Sequence, residues 1–193
     1  MRSSNCLIAA LLASLSFAIS PAATAIDNQD PGRFVQSLAT TGFGVLKGNQ
    51  ASARGQFRTI LGQHFAVDAI GDRLIRRWRP KVSAAQYQAY KAALPNFIIG
   101  TYADRLDDYA DASIKIVRVQ NQGDNAAVLT QVTKPGERPV NAIWSLSKVG
   151  SGYKVTNLTV AGINLAVAQT ADFDAYVQRN GFDALIAFMK KRG

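Results

Sequence analysis

His64 is the only histidine of the 193-residue chain, and an imidazole alone does little chemistry. Acid–base or nucleophilic catalysis needs a partner within hydrogen-bond reach, and a metal centre needs several N, O or S donors at ligand spacing. Neither is evident. Glu137 is the only glutamate, the single cysteine is Cys6, and His64 lies on an apolar helical stripe, so it reads as a half-buried structural residue. Asp104, Asp107, Asp108 and Asp111 recur at i, i+3, i+4 and i+7, which gathers four carboxylates on one face if a helix continues that far. Oxygen donors so placed suit a divalent cation. They also suit the solvated back of a helix whose other side presents Tyr102, Leu106 and Tyr109, with Arg105 offsetting part of the repulsion, and the solvated face is the reading adopted. Gly42-Phe43-Gly44 with Gly48 imitates a dinucleotide loop, but its last glycine comes one position late and no strand precedes it. Gly150-Ser151-Gly152 lacks the flanks of a nucleophile elbow and reads as a hairpin turn. Asn157-Leu158-Thr159 is a glycosylation sequon in letters only, since it falls inside a predicted strand. No catalytic residue, metal ligand or cofactor motif is assigned.

One cluster does make a chemical claim. Arg73, Arg76, Arg77, Arg79 and Lys81 surround Trp78. Cations on long apolar stems around an indole suit a lipid–water boundary or an anionic partner. Each cation singly also fits a helix end, where it faces the negative pole of the macrodipole. As a group they are read as a partner or head-group patch.

Two halves of different periodicity must position these residues. From Pro31 to Ala110 the apolar residues recur at helical spacing. Pro31 suits a first turn, with Phe34, Leu38 and Val45-Leu46 after it. Phe57, Ile60, Leu61, His64 and Phe65 form the stripe of a second helix. A third is expected from about Val67 to Arg79, stopping before Pro80. Ser83 is a plausible N-cap for a fourth through Tyr87, Tyr90 and Leu94, which Pro95 should kink or break before Phe97, Ile98 and Tyr102. Past Ser113 the pattern alternates. Ile114, Ile116 and Arg118 interleave with Lys115, Val117 and Val119, and a turn at residues 121–124 leads to Ala126–Thr133. Residues 134–137 turn into Val140, Ala142, Trp144 and Leu146, with Asn141, Ser145 and Ser147 opposite. Gly150-Ser151-Gly152 turns into Tyr153–Val160. Four strands on short turns make an antiparallel meander. Two helices close the chain, at about Leu165–Arg179 and Phe182–Lys191. The fold class is α+β, with helices over one face of a curved four-stranded sheet.

Residues 1–25 read as a signal peptide: Arg2, an apolar run from Leu7 to Ile19, Pro21, then Ala23-Thr24-Ala25 before the cut. The run is too short to span a bilayer, and Cys6 precedes it, unlike the cysteine of a lipoprotein. Export follows, with residues 26–193 as one domain free of cysteine. The whole chain carries a formal charge of +9, of which the leader removes only Arg2. In the cytoplasm such a balance would suggest nucleic acid. An exported chain meets anionic lipid head groups and envelope proteins instead, so no nucleic acid is expected; the excess either steers it to membranes or aids solubility.

The segment Leu74 to Arg79, then Gln86 to Leu94, then Phe97 to Tyr109 resembles a known family. So do Asp124 to Val132, Ala142-Ile143-Trp144-Ser145-Leu146, Tyr153-Lys154-Val155, Val160 to Leu165, Phe173, and Asn180-Gly181-Phe182-Asp183-Ala184-Leu185-Ile186. In order and spacing they are similar to the toluene-tolerance or MlaC family of periplasmic phospholipid-binding proteins, from about Pro31 to Lys190. Where the family often has a serine and an arginine, this chain has Asn164 and Ala171-Asp172. The resemblance implies a periplasmic carrier, not an enzyme, that encloses phospholipid tails in an apolar cavity. It also implies exchange between an outer-membrane lipoprotein complex and an inner-membrane ABC transporter with an MCE-domain subunit, which maintains outer-membrane lipid asymmetry. A hopanoid is the alternative cargo, because a relative is encoded with hopanoid-synthesis enzymes.

The physics fits such a role. Burying a methylene is worth roughly 0.8 kcal/mol, so baring the ~30 methylenes of a two-tailed lipid costs on the order of 20 kcal/mol. A carrier must cover most of both tails. Phe97, Ile98, Tyr102, Leu106, Trp144, Leu146, Val155, Leu158, Val160 and Ile163 are the expected tail contacts. Strict alternation puts Val155 in conflict with Leu158 and Val160, so at least one should fail. Periodicity alone does not separate a hollow interior from a filled one. An enzyme on a similar cone and a cargo-free envelope adaptor working through the basic patch are the competing readings.

Overall fold

Asp30 starts the first helix by accepting the Arg33 N–H at 2.9 Å, ahead of a proline at the first helical position, where a missing N–H costs nothing. The computed structural model describes residues 26–48 and 50–193, the side chains of residues 50, 51 and 103–107 excepted. The signal peptide expected at residues 1–25 lies outside the described residues, as do the side chains of Asp104, Arg105, Leu106 and Asp107.

Four helices come first: α1 Pro31–Leu46, α2 Gln50–His64, α3 Val67–Leu74 and α4 Ala84–Leu106. The third is shorter than expected. Ile75 leaves helical geometry at φ −112°, and the chain crosses the Arg76–Lys81 stretch as turns and a short 3-10 segment at Arg79–Lys81, because Pro80 lacks the N–H that a helix would need there. Ser83 is the cap the sequence predicts. Its Oγ accepts the Gln86 N–H at 3.2 Å while Gln86 Oε1 accepts the Ser83 N–H at 2.9 Å, a reciprocal capping box. Pro95 does not break α4. Tyr90, Ala93 and Leu94 before it and Phe97 after it are buried in one cluster. Their burial, at about 1.5–3 kcal/mol for each large side chain, offsets the ~3 kcal/mol cost of an internal proline.

The sheet has five strands, not four, in the order β1 Ser113–Gln122, β2 Asn125–Thr133, β3 Val140–Val149, β4 Gly152–Val160 and β5 Ile163–Asn164. The added strand follows a two-residue turn in which Ala161 and Gly162 both have positive φ, 51° and 81°. Ala-Gly is a poor advertisement for such a turn compared with Asn-Gly. Asn164 then does double duty, ending β5 and accepting the Val167 N–H at 3.0 Å as the cap of α5. α5 (Leu165–Asn180) and α6 (Phe182–Arg192) close the described fold, with Gly181 at φ +85° between them. No helix among the described residues is long and apolar enough to cross a membrane.

Two separate cores hold these elements. One is helical: Leu74, Ile75, Tyr90, Leu94, Phe97, Phe173, Val177, Leu185 and Met189 come from α3 and the turn after it, α4, α5 and α6. Within it the Tyr90 hydroxyl donates to the Gly71 carbonyl at 2.9 Å, and burial keeps that phenol protonated well above its ordinary pKa. The other core joins α1 to the sheet through Phe34, Val35, Leu38, Ala126, Val128, Leu146 and Val155.

Candidate functional site

The face of the sheet turned toward the helices is largely apolar, and two bulges align it. On β1 the register slips between Ile116 and Arg118. Val117 becomes the extra residue, and Ile114, Ile116 and Val119 stand opposite Val132, Thr130 and Val128. On β4 the slip falls at Thr156: Leu146 pairs with Val155, Trp144 with Leu158 and Ala142 with Val160. Directly paired residues point to the same side. The conflict expected between Val155 and Leu158 or Val160 therefore does not arise; the bulge puts all three on one face. β2 contributes Ala126, Val128, Thr130 and Val132, paired with Leu146, Trp144, Ala142 and Val140.

The β4 bulge is held from three sides. Thr156 Oγ1 donates to the Ser145 carbonyl at 3.2 Å, Arg73 donates to the Thr156 carbonyl at 3.4 Å, and the Ala66 N–H donates to the Val155 carbonyl at 2.9 Å. Phe65, at the α2–α3 joint, adds an isolated parallel bridge to Val155.

Cover over this face thins along β4. Val155 is 1% exposed and lies in the sheet core, whereas Ile163, opposite Val160, is 60% exposed and Val167 beyond it 66%. Leu158 and Val160 between them are half-buried and belong to neither core. Trp144 is half-buried too, its indole N–H donating at 3.1 Å to Thr130, whose hydroxyl donates to the Ala142 carbonyl at 3.2 Å. The only buried polar side chain on this face is thus satisfied by its neighbours.

The expected tail contacts divide accordingly. Trp144, Leu158 and Val160 share the partly covered stretch, and Leu146 and Val155 fill the closed end. Ile163 stands at the open margin. Phe97 fills the helical core instead, 5.4 Å from Phe173 and 6.0 Å from Phe188 between ring centroids, with Ile98 packed against that core and Tyr102 half-buried beyond it. The pattern of α4 carries no sign of which side of the helix a residue serves.

The basic cluster comes together around Trp78, though its members do different work. The Trp78 N–H donates to Asp174 at 2.7 Å, Arg77 and Lys81 lie 5.3 and 5.6 Å from the indole centroid, and Arg77 reaches Asp174 at 4.0 Å. Arg79 stacks on Tyr87 at 3.8 Å. Arg73 is spent on the bulge, and Arg76 is exposed. Of the aspartate row, the side chains of Asp104 and Asp107 lie outside the described residues. Asp111 pairs with Lys47 at 3.1 Å.

His64 ends α2 half-buried, 6.0 Å from the Phe34 ring. Burial first, and the Lys154 charge second, hold its pKa below the ordinary 6.5. The unfolded chain takes up a proton that the folded chain resists, so stability is full above about pH 6.5 and falls as pH drops through the window below it. Thermal melts are expected to show that fall in the native protein and to lose it in His64→Gln. Parallel profiles for the two would assign the slope to other groups.

A family model described as MlaC protein matches residues 35–191. The toluene tolerance protein ttg2D of Pseudomonas putida is 25% identical over 164 residues, 80% of this chain and 76% of that protein. Among solved structures, a phospholipid-binding protein from Ralstonia solanacearum in complex with a phospholipid matches with a TM-score of 0.64 at 20% identity. The match covers 81% of this chain and 95% of that one.

Proposed function

The chain belongs to the MlaC family, and from that premise we propose that it is a periplasmic carrier that binds phospholipid by its acyl tails. The observation that carries this reading is the stretch Trp144, Leu158 and Val160. It is an apolar sheet face, aligned by a bulge, on which Trp144 packs at the edge of the sheet core while Leu158 and Val160 belong to neither core. The fold match to a chain solved with phospholipid and the likeness to a toluene tolerance protein point the same way.

In the finer reading, the carrier exchanges lipid between an outer-membrane lipoprotein complex and an inner-membrane ABC transporter with an MCE-domain subunit, and so maintains outer-membrane lipid asymmetry. The Arg76, Arg77, Arg79 and Lys81 cluster around Trp78 serves as the partner or head-group patch, with Arg73 bracing the sheet beneath it. Reversing Arg76 and Arg79 together to Glu is expected to weaken retention on anionic vesicles or partner complexes at least tenfold, with lipid content unchanged. Equal retention would remove the patch from the reading.

Organic extraction of the natively purified protein, with mass spectrometry of the contents, tests the whole. Phospholipid supports the carrier. A triterpenoid would make it the hopanoid-linked carrier of the same family. An empty protein would leave the cargo-free adaptor and end the carrier reading.

A further inference from the structure

A concavity lies between α2, the start of α3, α4 and the start of β4. Its volume is about 530 Å³, within the range of small-molecule sites. Phe65, Val67 and Pro95 give it apolar walls, and Arg58, Lys91 and Lys154 give it charge. Asp68 is the one carboxylate of the lining, and Lys91 holds it at 2.8 Å. Arg58 and Lys154 have no carboxylate partner among the described residues. Two uncompensated cations beside apolar walls complement an anion with an apolar body. The field is already felt nearby, where Lys154 disfavours the charged form of His64. Asn96 also lines the cleft.

The cleft connects to the sheet. Phe65 lines it, packs against the sheet core and bridges Val155. We propose that this cleft binds the phosphate of an anionic amphiphile, with Arg58 and Lys154 as its counter-charges and its apolar part against Phe65, Val67 and Pro95. The site rests on its own residues; its occupation by a lipid rests on the carrier reading.

The test uses the exported protein, isotope-labelled and titrated separately with dihexanoyl phosphatidylglycerol and with inorganic phosphate, following the amides of Ala66, Val67, Ala69 and Lys154. Saturable shifts with phosphatidylglycerol are expected, at least tenfold tighter than with phosphate. The double variant Arg58→Gln, Lys154→Gln should weaken the lipid titration at least tenfold. Unchanged affinity in that variant, or shifts confined to other amides, overturns the site, and equal affinity for inorganic phosphate overturns the amphiphile. A protein that yields no lipid on extraction, yet titrates as expected here, would end the carrier reading and leave the cleft standing.

Discussion

Leu158→Glu is expected to empty the protein, lowering co-extracted phospholipid per mole of protein at least tenfold while its melting temperature moves by no more than a few degrees. Leu158 is half-buried, sits opposite Trp144, and contributes to neither packed cluster. A carboxylate there meets water when the protein is empty, and substitutions outside cores usually change stability by about ±0.5 kcal/mol. With tails in place the same carboxylate is stripped of water among methylenes. Even the ~2 kcal/mol attached to an uncompensated buried polar group exceeds the 1.4 kcal/mol that makes a tenfold change in affinity. Thr159→Glu supplies the control, because Thr159 pairs with Ile143 on the opposite face of the sheet. Lipid content equal to wild type in Leu158→Glu would show that this face is not the tail-binding wall.

Phe173→Ala should do the reverse, costing stability and sparing cargo. Phe173 is 1% exposed and is gripped by Phe97 at 5.4 Å and Tyr90 at 6.3 Å between centroids. Removing a buried phenyl typically costs about 3–5 kcal/mol, the transfer term plus the cavity left behind. At roughly 2–4 °C per kcal/mol for a chain of this size, melting should fall by about 10 °C. Phe97→Ala should resemble it rather than Leu158→Glu, since Phe97 belongs to the same helical cluster. Should Phe97→Ala instead release lipid without a loss of stability, the helical core and the tail-binding wall are one structure, and the division drawn between them fails.

Much of the scaffold is written in local pattern. Ser83 and Gln86 announce a capping box three residues apart, and Pro31, Gly181 and the 3.6-residue stripes mark helix ends and faces. The meander follows from alternation broken by turn residues. The two bulges are harder, but they leave a trace: apolar residues at 114, 116 and 119, and at 155, 158 and 160, skip a beat in the period of two, and an extra residue restores the phase. Read that way, the clash expected between Val155 and Leu158 marks a bulge. β5 hides because Asn164 looks like a helix cap, which it also is. The site is less legible. Nothing in α4 distinguishes Phe97, which packs a core, from a residue that would touch cargo, because both need an apolar side chain facing inward. The cleft draws on Arg58, Lys91 and Lys154, far apart in the chain and individually ordinary, so only the fold brings them together.

The helical cluster and the sheet cluster are each complete without the other. A solid globule has one centre and opens only by unravelling. A molecule with two centres has a seam, and a seam can part by the width of a hydrocarbon chain while both halves stay native. If the chain carries a lipid as proposed, loading it would part that seam and leave each cluster folded. Amide exchange should reveal this as two protected zones divided by a faster line of residues along the strand–helix boundary.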